Sequence, residues 1–126
     1  MRFSPKVVIT VWGVYWLALF AVMHTPIPLR RPLPVHFLDK VVHATAYAIL
    51  ATLCAWWAWR SGTRFRRAWF FKWIVIFAVY AVADELLQPY FNRSAEFLDW
   101  LADVLGVLIA FSFVYVRTRT HRPGTA

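Results

Sequence analysis

Four stretches of the chain, residues 7–23, 39–59, 73–88 and 98–116, are apolar almost all the way round a helix. They lack the narrow apolar stripe of a soluble amphipathic helix. Each approaches the ~20 residues a helix needs to cross a bilayer, so the pattern predicts an all-α membrane protein, a four-transmembrane-helix bundle occupying 1–126 as a single domain. The first stretch, with its short basic leader, resembles a signal peptide. No small-x-small cleavage site follows Met23, and the stretch spans roughly 26 Å as a helix, so it is read as a retained first span.

The connectors differ sharply from one another. Residues 25–34 contain Pro26, Pro28, Pro32 and Pro34, which forbid a regular helix and favour an extended link. Residues 60–72 carry Arg60, Arg64, Arg66, Arg67 and Lys72, and residues 89–97 are short and open on Pro89. Basic residues close to a span resist translocation. Arg2, Lys6, the five bases of the second connector, Arg117, Arg119 and Arg122 all fall on one side, against Arg30, Arg31 and Arg93 in the opposite connectors. This bias predicts an N-in, C-in orientation, with the basic connector in the cytoplasm and flanked by Trp56, Trp57, Trp59, Trp69 and Trp73 as an interfacial belt. Arg64, Arg66 and Arg67 are expected to act through topology and lipid attraction, at roughly 1 kcal/mol each.

Composition agrees with this picture. The chain is 61% apolar, with a mean hydropathy of +0.54, too oily for an ordinary soluble fold. Its formal net charge of +8 would invite a nucleic-acid reading in a soluble protein. Here the arginines sit between oily runs, and nucleic acid is set aside in favour of the bilayer as partner. Cys54 is the only cysteine, which excludes an internal disulfide and any cysteine metal motif.

The acids carry a second asymmetry, because the positive-inside rule says little about them. Asp39, Asp84, Glu85, Glu96, Asp99 and Asp103 all fall at the outer ends of spans two to four or in the outer connector. At 100° per residue, Lys40, His43 and Tyr47 form one stripe on span two, with Asp39 at its edge. Asp84, Glu85 and Gln88 share a face of span three, extended inward by Tyr80. Asp99, Asp103, Gly106 and Ala110 share a face of span four, where Gly106-x-x-x-Ala110 permits close helix contact. An ionisable group at this depth costs some 2.5–3.5 kcal/mol even on lenient insertion scales, roughly enough to force these faces inward onto one another. Five of the carboxylates then meet only Lys40 and Arg93 as permanent cations, a deficit that a proton, a charged His43, a cationic ligand or a metal would fill.

Each element also has a plainer reading. Asp39 and Asp99 suit helix N-termini through the dipole, His43 and Tyr47 suit a packed core, and the whole set suits a polar network holding helices together. Asp84, Glu85 and Asp103 are the hardest to explain in that way.

Taken in order, Asp39-Lys40-x-x-His43-x-x-x-Tyr47, Asp84-Glu85-x-x-Gln88, Arg93 and Asp99-x-x-x-Asp103-x-x-Gly106 resemble the VanZ-like family of bacterial membrane proteins. The acidic-x-x-Gln element of that family corresponds to Glu85 and Gln88, and its downstream Arg and Asp to Arg93, Asp99 and Asp103. Val104 and Leu105 stand where family members often carry Asn. The resemblance implies a bacterial inner membrane, a cell-envelope site on the extracytoplasmic face and a link to glycopeptide (teicoplanin-type) resistance.

The expectation is a polar pocket that recognises or modifies an envelope molecule, either a lipid headgroup or a cell-wall precursor. Glu85, Asp103 and His43 are the candidate catalytic groups. Lys40, Arg93, Gln88, Asp39, Asp84, Asp99 and Tyr47 are the candidate binding groups. A divalent cation would suit the oxygen-rich set, although no compact metal-spacing motif is present. The alternative is a non-enzymatic membrane module whose polar cluster serves helix packing or partner docking.

Overall fold

A computed structural model describes residues 3–25 and 36–120. The proline-rich connector, with Arg30 and Arg31, lies outside the described residues, as do Arg2 and Arg122. Four helices are present: α1 (Pro5–Met23), α2 (His36–Arg60), α3 (Arg67–Leu87) and α4 (Phe97–Thr120), with a 3-10 turn (Gln88–Phe91) closing α3.

Local chemistry sets the ends. Ser4 caps α1 by accepting from the Val7 N–H at 3.3 Å, and Pro5 occupies the first turn, where its missing N–H costs nothing. α2 stops in a Schellman turn: Gly62 sits at φ +75°, its N–H donates to the Trp59 carbonyl, and the Thr63 N–H reaches the Ala58 carbonyl. That backbone conformation favours glycine. The 3-10 turn after α3 ends on Asn92 at φ 56°, and the Arg93 N–H returns to the Gln88 carbonyl. Asparagine is among the few side chains that tolerate this region.

α3 begins at Arg67, six residues before the span boundary expected at Trp73. Arg67 and Lys72 belong to its exposed first turns rather than to a loop. Among the described residues, three helices are long and apolar enough to cross a membrane: Pro5–Met23, Leu38–Arg60 and Phe97–Thr120. α3 has 21 residues but carries Arg67, Lys72, Asp84 and Glu85, and does not qualify on composition. The outward faces of all four helices are oily, with Leu17, Val79, Ile109 and Phe113 each around 60–75% exposed. A continuous apolar exterior of this kind calls for lipid as its solvent.

The most extensive helix interface joins α2 to α4, followed by α1 on α2 and α3 on α4. Gly106 makes the first of these possible, since a Cβ there would overlap the carbonyl of Ala44. The interior toward the basic end is aromatic. Trp12 stacks on Trp57 at 5.6 Å, and Phe111 meets Trp69 and Phe70 edge-on. Cys54 lies in this core, fully buried. α1 is held by the Tyr15 hydroxyl, which donates to the Ala46 carbonyl at 3.0 Å, and by Trp16 against Tyr80.

Gly106→Leu is therefore expected to destabilise the bundle by at least about 2 kcal/mol, because its side chain meets backbone that cannot step aside. Gly13→Ala, where a Cβ meets nothing within 4 Å, is expected to be neutral or to stabilise by up to about 1 kcal/mol. Thermal unfolding of the two variants in detergent compares them directly.

Candidate functional site

All six acids gather at one end, at the start of α2, the end of α3, the following connector and the start of α4. The faces expected from helical phase are the faces that are buried: His43 and Tyr47 on α2, Asp84 and Glu85 on α3 with Gln88 just beyond, and Asp99, Asp103, Gly106 and Ala110 on α4. Asp103 lies six residues into α4, about 9 Å along its axis.

Two links join α2 to α4. Near the rim, the Lys40 ammonium donates to Asp99 Oδ1 at 2.7 Å and Glu96 Oε2 at 2.9 Å. Deeper, His43 Nδ1 lies 3.0 Å from Asp103 Oδ1, with both side chains wholly excluded from solvent. An ionised carboxylate only accepts, so beside it Nδ1 carries the proton and Nε2 is the nitrogen left to act. Asp103 orients the ring as a carboxylate orients a catalytic or metal-binding histidine.

Glu85 is occupied differently. Its Oε1 accepts from the Gln88 amide at 3.1 Å and its Oε2 from the Glu96 backbone N–H at 2.9 Å. It thereby ties the α3–α4 connector to the end of α3. Arg93, half-buried in that connector, makes no side-chain hydrogen bond or ion pair with any described residue, and its charge reaches Asp84 only at longer range. Asp39 is half-exposed at the rim.

Asp84 lies apart from Glu85's partners and faces α1. His24 Nδ1 is 3.6 Å from Asp84 Oδ1 and 2.8 Å from the Phe20 carbonyl, and its ring packs between Phe20 and Phe91. Sequence reasoning missed His24, and it counted Glu96 among the outer acids without naming it as a site residue. His24 closes an otherwise uniformly apolar span, and Glu96 sits in a connector without helical phase. Their common position at the acidic end was the available signal.

Several buried polar atoms meet no hydrogen-bond partner among the described residues: His43 Nε2, His24 Nε2, Asp103 Oδ2, both oxygens of Asp84, and the hydroxyls of Tyr47 and Tyr80. Each such atom costs about 1–3 kcal/mol of desolvation. The Tyr47 and Tyr80 rings are 6.0 Å apart, so their hydroxyls belong to one polar interior. Two donor sets could hold a cation, His43–Glu85–Asp103 and Asp39–His43–Asp99, each with donor atoms within 4.8 Å of one another. One imidazole with two carboxylates suits a first-row divalent ion better than calcium.

Lys40→Met strips the charge partner from the nearly buried Asp99 and is expected to cost about 1.5–3 kcal/mol. A double-mutant cycle with Asp99→Asn, read by thermal unfolding, is expected to return a coupling above about 1 kcal/mol. Additive losses would mean that the bridge holds nothing.

No curated protein and no solved structure matches the chain. The model of the VanZ/LLP1 family matches residues 5–118, from the start of α1 almost to the end of α4. The match covers every element that builds the acidic end, and the chain belongs to the VanZ/LLP1 family.

Proposed function

We propose that the protein is a four-span bacterial inner-membrane protein, N-in and C-in, whose acidic end forms an extracytoplasmic pocket that recognises or modifies an envelope molecule, a lipid headgroup or a cell-wall precursor. The observation that carries this reading is the buried His43–Asp103 pair, whose Nε2 and Oδ2 make no hydrogen bond among the described residues, together with Asp84, whose two oxygens make none either and have only His24 at 3.6 Å. Orphan acceptors at that density are costly in a structural network and useful in a site that takes up a proton, a cation or a substrate donor. α3 is the fourth span in this reading, its acids tolerated because they face the bundle interior.

The contacts favour particular roles. His43, held by Asp103, is the acid-base group. Arg93 is the better anion holder, since Lys40 is already engaged by two carboxylates. Glu85 positions the connector through Gln88 and the Glu96 amide. A groove of about 280 Å³ between α3 and the start of α4 runs past Glu85 and Glu96 and is otherwise lined by Val82, Leu86, Phe97 and Trp100, among others. Its apolar walls beside carboxylates suit an amphiphile entering from the lipid. A contribution to teicoplanin-type resistance belongs to the same proposal and rests on the family alone.

The closed contacts of Lys40 and Glu85 favour a second reading, a non-enzymatic module in which the cluster serves packing or docking. Conservative substitutions separate the two. Asp103→Asn is expected to change stability by no more than about 1 kcal/mol, yet to return the lipid and cell-wall-precursor pools to those of cells lacking the protein. Glu85→Gln is expected to lower stability first. If Asp103→Asn leaves the pools as in wild type and alters only stability or association, the packing module replaces the pocket.

Orientation has its own test. A reporter active only outside the cytoplasm is expected to work within residues 26–34 and to be silent after Ala126. The reverse pattern puts the acidic end on the cytoplasmic face.

A further inference from the structure

The opposite end of the bundle holds a feature that the acidic pocket does not use. A groove of about 800 Å³ opens between the last turns of α2 and α4 beside the α2–α3 connector. Its walls include Trp56 and Trp59 from α2 and Phe113 from α4, and its rim carries Arg64, Arg117 and Arg119. We propose that this groove binds an anionic phospholipid of the adjoining leaflet, with the phosphate on the three guanidiniums and an acyl chain along the aromatic wall.

Charge carries the first step. All six acidic side chains of the chain lie at the other end, so among the described residues these arginines have no side-chain carboxylate to pair with. Two of the three rest their cationic faces on rings instead: Arg117 lies 5.3 Å from the centre of Phe113, and Arg119 lies 4.7 Å from that of Tyr115. A guanidinium stacked in this way keeps its N–H edge free for bidentate contact with a phosphate.

Position carries the second step. Thr52 and Phe113, on the membrane side of the groove, are exposed on the apolar exterior, while the arginines stand at the helix ends where headgroups lie. The lining thus changes from apolar to cationic in the direction in which a phospholipid changes from chain to phosphate. Charge near the surface alone does not explain the clustering, because Arg66, Lys6 and Lys72 lie outside the groove. Sequence reasoning grouped Arg64 with Arg66 and Arg67 as topological charges. The fold places Arg64 in the groove lining and Arg67 behind it, donating to the Tyr115 hydroxyl on α4 at 3.4 Å, while Arg66 lies outside.

Native mass spectrometry of the full-length protein in neutral detergent, titrated with phosphatidylglycerol or phosphatidylcholine of identical chains, tests the proposal. Wild type is expected to prefer the anionic lipid by at least about fivefold, the worth of roughly one interfacial arginine. The R64Q/R117Q/R119Q variant is expected to lose that preference, and K6Q/R66Q/K72Q, with the same charge removed, to keep it. Thr52→Trp, which fills the groove and leaves every charge in place, is expected to weaken the anionic lipid as well. Equal binding of the two lipids, or an equal loss in both triple variants, overturns the proposal in favour of diffuse surface charge. Competition by soluble glycerol 3-phosphate at similar concentration overturns it in favour of a small soluble anion.

Discussion

A carboxylate carried below the surface of a bilayer needs a proton, a cation or several hydrogen-bond donors, and the acidic end of this protein is organised by that requirement. The four acids carried on α3 and α4 meet different answers. Asp99 takes an ammonium, Asp103 an imidazole, and Glu85 an amide side chain and a backbone N–H. Asp84 has only the edge of His24, at a distance too long for a hydrogen bond. The gradation from fully engaged to nearly bare separates groups that hold the helices from groups left able to react.

The close seam between α2 and α4 makes those answers geometrically available. Gly106 lets the backbones approach at Ala44, one residue beyond His43 and three beyond Asp103. Without that approach, an imidazole on one helix could not meet a carboxylate on the other at 3.0 Å. Lys40, a turn closer to the surface, reaches further along its flexible stem and bridges the seam where it widens. A small residue, a short pair and a long pair thus follow one another along a single interface.

Helical phase made much of this readable in advance. Once a helix is assumed, 3.6 residues per turn places Lys40, His43 and Tyr47 together, and likewise Asp99, Asp103 and Gly106, while the cost of exposing charge to lipid turns both faces inward. Phase could not say which carboxylate would meet which donor, because that depends on rotation and depth of neighbouring helices. Glu85 and Asp84, adjacent on α3, consequently serve α4's connector and α1 respectively. The start of α3 was misplaced for a related reason: Arg67 and Lys72 read as connector, whereas long basic side chains extend from a helix into the headgroup layer without ending it. Glu96 was counted among the outer acids but, outside any periodic pattern, was given no role, and His24 became visible only when the helix ends came together.

The separation of charge between the two ends also makes the molecule an electrical object. The described residues place Lys6, Arg60, Arg64, Arg66, Arg67, Lys72, Arg117 and Arg119 at one end and all six acids at the other, so the protein has a large dipole along the bundle axis. Moving one elementary charge through the full membrane is worth about 2.3 kcal/mol per 100 mV. In the proposed orientation the basic end faces the electrically negative cytoplasm, and the resting voltage of a living cell stabilises the inserted protein. In that orientation carboxylates sunk part-way into the bundle would feel a fraction of the same drop. That field is absent from detergent.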